Sequence, residues 1–245
     1  MSNEQRAQGG QSLVEFIIVI PIFFMILLGI FEFSFIYKAK ATLNTATFEA
    51  ARAGSLDHGR KPTMIDALAK GMAPLYMKGS DSAGVIGMGG AYVRARGVAT
   101  VIDATPGLGA IEVVSPTPEV VEQFAVQRAI QVEGEPGYRQ ATFIPSDNLY
   151  FRSSEDVFVQ VNGEDILMNI QDANLLKIQT LWCYRMITPL VSRLIRAVMS
   201  SPLMSSTSAK QQACNTASFV TGGNYLVLRS HAVIRMQTHF LKEDS

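Results

Sequence analysis

The chain has 245 residues, 48% of them hydrophobic and 17% charged, which is enough apolar material for one sizeable core and too much for a disordered chain. Lys plus Arg and Asp plus Glu stand at 21 each, so no global field draws a nucleic acid or steers an ionic substrate, and nucleic acid is not expected as a partner.

The chain opens on a short polar stretch, Met1 to Gly10, that ends in Gly9-Gly10. Leu13 to Tyr37 then carries only two charges, Glu15 and Glu32. A helix from Leu13 to Ile36 would be about 36 Å long, enough to cross a hydrocarbon core of roughly 30 Å. The competing reading is a removable secretory signal, with Ala39, Ala41, Ala51 and Ala53 as the apparent cleavage region. Its apolar part is usually half this length, and the anchor is therefore preferred.

Within the span, Glu15 is the residue of interest, because an intramembrane carboxylate is costly unless paired and is a functional candidate by default. The bland reading is that Glu15 reaches the headgroups and does nothing more. Pro21 removes one backbone hydrogen bond and is expected to kink the helix. Gly29 permits close helix approach without a G-x-x-x-G partner. Glu32 is placed near the far membrane surface as a solvated carboxylate without a function. The flanking charges, Arg6 on one side and Lys38 and Lys40 on the other, do not set the orientation.

Past the span, Ala39 to Ala53 is rich in helix formers and puts Leu43, Ala46, Ala50 and Ala53 on one stripe, with Gly54-Ser55 as the stop. The helix from Ser12 to Ala53 would measure about 63 Å. Thr63 to Tyr76 and Ala91 to Val101 read as short helices, separated by a flexible loop at Gly79 to Gly90. That loop has no lysine-serine pair and is not read as a phosphate loop. Ile111 to Val114 reads as a strand, and Thr117 and Pro118 open a helix to about Ile130. Asn162-Gly163 marks a hairpin between Val157 to Val161 and Asp165 to Met168. Leu176 to Met186 and Tyr225 to Gln237 read as longer strands around a helix at Pro189 to Met199. The fold class is α+β: one N-terminal transmembrane helix, extended as a spine, packed on a mainly antiparallel sheet.

The N-terminal residues also carry a resemblance. Gly10-Gln-Ser-Leu-Val-Glu15-Phe16, Pro21, Gly29-Ile-Phe-Glu32-Phe33 and Ala50-Ala51-Arg52-Ala53-Gly54-Ser55 resemble the TadE-like family of pilin-related proteins of tight-adherence pilus systems. The start resembles a type IV prepilin signal. A weaker similarity lies in Cys183, Pro189 and Ala232 to Gln237. Gln11 stands where many pilins carry phenylalanine.

The resemblance implies cleavage between Gly10 and Gln11 by a prepilin peptidase on the cytoplasmic side. Glu15 becomes the fifth residue and meets the N-terminal amine of a neighbouring subunit. Residues 1–10 are then a leader, 11–53 the transmembrane and spine helix, and 54–245 an exported head. The implied protein is a minor pilin or pseudopilin of the bacterial inner membrane, single-pass, with a cytoplasmic N-terminus and a periplasmic head. Its partners are the peptidase, other pilin or pseudopilin subunits, the pilus assembly machinery and the lipid bilayer. A pseudopilin of a type II secretion apparatus shares this N-terminus. The alternative class is a signal-anchored periplasmic binding protein or enzyme that does not polymerise.

An exported head suits a Cys183–Cys214 disulfide, with Cys214 in a loop before the last strand; neither cysteine has a partner at metal-ligand spacing. His58, His231 and His239 fall in no catalytic pattern. The adjacent carboxylates Glu155-Asp156 and Glu164-Asp165 lie beside turns, and Trp182 reads as a core residue. No catalytic residue, cofactor or metal site is expected, and the chain is read as a non-enzyme.

Overall fold

The computed structural model describes residues 8–77, 85–131, 136–152, 154–161, 163–199, 208–221 and 223–241. The architecture is α+β: one long N-terminal apolar helix precedes a region of antiparallel sheets. The chain divides into two compact units, residues 1–39 with 183–227, and residues 40–182 with 228–245.

Helix α1 runs from Gln8 to Leu56, 49 residues, and continues through Pro21. Its outer portion packs in the second unit along a seam of Leu43, Ala46, Thr47, Ala50 and Ala51, all fully buried. Small residues let the helix come close to its neighbours, and two polar contacts fix its register. Thr47 Oγ1 lies 2.6 Å from Thr180 Oγ1, and Ser230 Oγ donates to Asn44 Oδ1 at 2.9 Å.

Gly54 does not stop the helix. It is buried inside it, and a Cβ there would sit 2.6 Å from Met64 Sδ. The helix ends at Leu56 instead, with His58 and Gly59 at positive φ (56° and 78°) and Gly59 N–H donating to Gly54 O. A left-handed turn of this kind satisfies the last free carbonyls of the helix.

Helix α2 (Lys61–Met72) is followed by a 3₁₀ turn, Ala73–Tyr76. Helix α3 spans Val85–Ala104, longer than the expected short helix, and takes in the glycines of the supposed loop from Gly87 onward. The physical reason is its seam: Ala91, Ala95, Ala99 and Ile102 recur every three or four residues and are buried. That packing outweighs the weak helix propensity of glycine. Residues 79–84 of that glycine stretch lie outside the described residues.

The sheets carry the remainder. β1 (Ile111–Ser115), β6 (Leu175–Arg185) and β7 (Tyr225–Arg235) form a three-stranded sheet in the order β1-β6-β7, with Ile111 opposite Thr180 and a register shift between Val113 and Ser115. Helix α4 covers only Pro118–Phe124, because the next residues form β2 (Val126–Ile130) and pair with β3 (Arg139–Ile144). The expected helix to Ile130 is thus cut in half by strand pairing. β3 in turn pairs with β8 (Phe240–Leu241).

The hairpin β4 (Val157–Val161) and β5 (Glu164–Met168) pairs Val161 with Glu164. Gly163 has φ +86°, as this tight turn requires, while Asn162 lies outside the described residues. Val120, Val121, Ile144, Val159 and Ala173 of the short helix α5 (Ile170–Ala173) form one core cluster. Trp182 is buried in β6 and donates from Nε1 to Tyr76 Oη at 3.2 Å. Helices α6 (Pro189–Met199) and α7 (Ser208–Thr221) belong to the first unit; Cys214 lies in α7 and not in a loop.

Two glycines give opposite expectations from the same substitution. A Cβ on Gly71 of α2 would lie 2.6 Å from Ala46 Cβ and 2.7 Å from Ala46 Cα of α1, so Gly71→Ala should push the helices apart and cost about 1–3 kcal/mol. Nothing lies within 4 Å of a Cβ on Gly97 of α3, so Gly97→Ala should stabilise by about 0.5–1 kcal/mol. Thermal unfolding of the detergent-solubilised chain checks both: the melting temperature should fall for the first variant and rise for the second.

Candidate functional site

The candidate site is built on the first half of α1. Its most apolar 18-residue window has a mean hydropathy of 2.9 and none of it is buried. Leu13, Val14, Phe16, Ile17, Ile18 and Val19 are each more than half exposed, and so are Ile22, Phe23, Phe24, Ile26, Ile30 and Phe31. A helix that turns large side chains outward on every side matches a hydrocarbon solvent, since it satisfies its own backbone polar groups.

Glu15 is exposed on this surface. The backbone of Gly10 and Gln11 is helical, while the side-chain surroundings of residues 8–12 and the whole of residues 1–7 lie outside the described residues. Pro21 is exposed and leaves the carbonyl four residues earlier without its usual intrahelical donor. A Cβ on Gly29 would meet nothing within 4 Å, so that face is open to close approach.

The apolar run ends at a residue that the sequence reading misplaced. Glu32 is not a solvated surface carboxylate: it is fully buried. Its Oε1 accepts the Ile187 N–H at 3.1 Å, and its Oε2 accepts the Thr188 N–H at 2.8 Å and the Thr188 hydroxyl at 2.7 Å. Thr188 directly precedes α6, and its carbonyl accepts the first bond of that helix, from Ser192 N–H. The carboxylate therefore sits at the N-terminal end of α6, where backbone donors have no partner within the helix. This contact docks α6 onto α1 at the end of the apolar run. Tyr184 is held as a neutral phenol, its pKa pushed up to about 12 by burial and then by the negative charge of Glu32.

Around that contact the first unit is tightly tied. Cys183 and Cys214 are joined in a disulfide between β6 and α7, 31 residues apart in sequence, a closure worth about 3–4 kcal/mol. The buried Gln211 of α7 takes the Val227 N–H on its Oε1 and donates to Tyr225 O, which ties α7 to the start of β7. Asn224 links three segments: its carbonyl takes the Met186 N–H, its amide donates to Ser192 Oγ at 2.7 Å, and its Oδ1 accepts from Arg196 at 3.3 Å.

A second cluster, in the other unit, brings two histidines together. His58 Nδ1 lies 2.9 Å from His239 O, and the His239 ring stacks on Phe143 at 4.5 Å. The Ser146 N–H points at His239 Nδ1 at 3.0 Å, with Ser146 Oγ 3.1 Å from the same nitrogen. The backbone donor fills the lone pair that would have to take a proton from the serine hydroxyl. Asp147 turns to Arg152 at 2.8 Å, which holds its carboxyl below the usual range. Glu155, Asp156, Glu164 and Asp165 are exposed, and no three metal-ligating side chains gather among the described residues.

Two predictions follow from these contacts. Glu32→Ala leaves three donors without an acceptor and should destabilise the first unit by on the order of 2–4 kcal/mol, with a smaller loss for Glu32→Gln, which keeps one acceptor. Amide exchange at Ile187 and Thr188, measured by mass spectrometry, should accelerate in the order wild type, Gln, Ala; equal rates in all three would show that the carboxylate does not hold this turn.

His239 gives a pH dependence. Burial lowers its pKa from the ordinary 6.5, so the unfolded chain binds the extra proton first. The stabilisation from its neutral ring is complete above about pH 6.5 and is lost as the pH falls below it toward the folded-state value. Between pH 7.5 and 5.5 the wild-type melting temperature should drop more than that of His239→Gln; parallel curves would remove His239 as the cause.

Comparison with known proteins adds one finding. Residues 10–52 match the model of a family described as TadE-like protein, a stretch lying wholly within α1. No curated protein and no solved structure matches the chain. The match spans Glu15, Pro21, Gly29 and Glu32 and leaves out the sheets, α6 and α7. Among the described residues one helix is long and apolar enough to fit a single-pass membrane anchor, and it is this helix that carries the TadE-like match.

Proposed function

We propose that the chain is a minor pilin or pseudopilin-like assembly subunit of a tight-adherence pilus, cut after Gly10 and assembled through α1. The observation that carries this reading is an ionisable residue, Glu15, exposed on an otherwise apolar helical surface within the TadE-like match. A carboxylate in that setting needs a partner. Cleavage between Gly10 and Gln11 by a prepilin peptidase creates one, a free amine four residues before Glu15. Pairing of that amine with Glu15 of an adjacent subunit neutralises both charges as apolar helices bundle, so that processing switches on assembly.

Pro21 and Gly29 have readings in the same scheme. The unpaired carbonyl before Pro21 lets the helix loosen locally, and the bare face at Gly29 lets a second helix approach. The head is then periplasmic, the N-terminus cytoplasmic, and the protein a non-catalytic component of the inner membrane and of the filament it joins. Oxidation of Cys183 and Cys214 fits that compartment.

The mature N-terminus and the role of Glu15 test the proposal together. Chain recovered from membranes should begin at Gln11 in cells with a prepilin peptidase and at Met1 without it. Glu15→Ala should insert in the membrane normally yet disappear from sheared filaments. Normal filament incorporation of the alanine variant, or an uncut chain in the presence of the peptidase, would leave an anchored protein that does not polymerise.

A further inference from the structure

We propose that α6 is an interfacial helix, lying in the headgroup region of the bilayer at the C-terminal end of the span with its Ile187, Leu190, Leu194 and Val198 side in the acyl boundary. These four are between 54% and 61% exposed. Leu190, Leu194 and Val198, four residues apart, lie on one side of the helix, and Ile187 stands in the turn that leads into it. The exposure does not arise because α6 fails to pack: Val191 and Ser192 on another side are buried, and Ser192 and Arg196 are held by Asn224. The helix is therefore docked by one face and presents a second apolar face outward.

What covers that face is set by where α6 is docked. Glu32 takes the backbone N–H groups of Ile187 and Thr188, so the apolar stripe begins at the point on α1 where the outward-facing run from Leu13 to Phe31 ends. The stripe continues a lipid-facing surface. Ser192 and Arg196, one turn apart, both reach Asn224, whose carbonyl bonds Met186. The helix is thus tied at two successive turns to the strand ends at Met186 and Asn224.

Its charge agrees with that place. Pro189–Met199 contains no acidic residue; Arg196 is taken up by Asn224 on the docked face, and Arg193 borders the apolar stripe as a cation where phosphates would be. On α1 the exposed Phe33, Phe35 and Tyr37 stand at the same end of the span, where aromatic side chains favour the membrane boundary. The occupant is the lipid surface, at a depth of about 5–10 Å into the headgroup and acyl boundary.

The inference rests on α1 being the span, and not on polymerisation. It is tested with the full chain, its disulfide intact, at about one molecule per vesicle of phosphatidylethanolamine and phosphatidylglycerol. A nitrobenzoxadiazole reporter is placed in turn at Leu194→Cys, Val198→Cys, Ile22→Cys in the span and Phe158→Cys on β4. Reporters at 194 and 198 should be quenched more by lipid carrying a shallow doxyl group than by a deep one, the reverse of 22, and should resist iodide, which should quench 158. Iodide quenching at 194 and 198 equal to that at 158, with 22 still protected, would overturn the interfacial helix alone. Protection at 194 and 198 that appears only at high protein density would assign the face to another chain and overturn the lipid reading. Iodide quenching at 22 would overturn the span, and this inference with it.

Discussion

One continuous helix carries two different surfaces in this protein, and the rest of the structure follows from the change between them. Over its first half α1 turns large apolar side chains outward, which costs little in hydrocarbon and would be very unfavourable in water. Over its second half the same helix narrows to alanines, one threonine and a leucine along a buried seam. The change of surface needs no break in the backbone, because the interior N–H and C=O groups, apart from the carbonyl opposite Pro21, are paired within the helix whichever solvent surrounds it.

Glu32 stands where the two regimes meet, and its chemistry explains why an acid is tolerated there. A buried carboxylate is costly when bare and acceptable when several donors converge on it. The turn before α6 supplies two backbone N–H groups and a hydroxyl. Those donors have no partner inside α6, so each side of the contact meets the other's unpaired need. Burial, and then the charge of this carboxylate, raise the pKa of Tyr184. Unlike Glu15, which is exposed, Glu32 has its partners within its own unit.

The Cys183–Cys214 bond and the Gln211 side chain hold α7 against the strand ends in the same unit. The histidine cluster has a parallel role in the other unit, where His239 ties the turn at Ser146 to the loop at His58. In both places polar side chains stand in for backbone partners that irregular segments lack. The two clusters are closures of the fold, built by residues far apart in sequence.

The apolar run, the glycine before it, Glu15 and the alanine stripe are local patterns, and the sequence alone was enough to read the α+β class, the long N-terminal apolar helix, both long strands and the TadE-like likeness. Periodicity also held a signal that went unread: Glu32, Ile36, Ala39, Leu43, Ala46 and Ala50 recur every three or four residues, which puts the acid on the seam side. What tertiary structure decided was everything set by distant pairing. Residues 126–130 became a strand because β3 offered an edge, and Gly87 to Gly90 joined α3 because its alanine seam found a surface to bury. Glu32 became a buried acceptor because residues 187 and 188, 155 and 156 positions later, brought it donors. No local pattern encodes such a partner, since the free energy that fixes the contact exists only once the two segments have met.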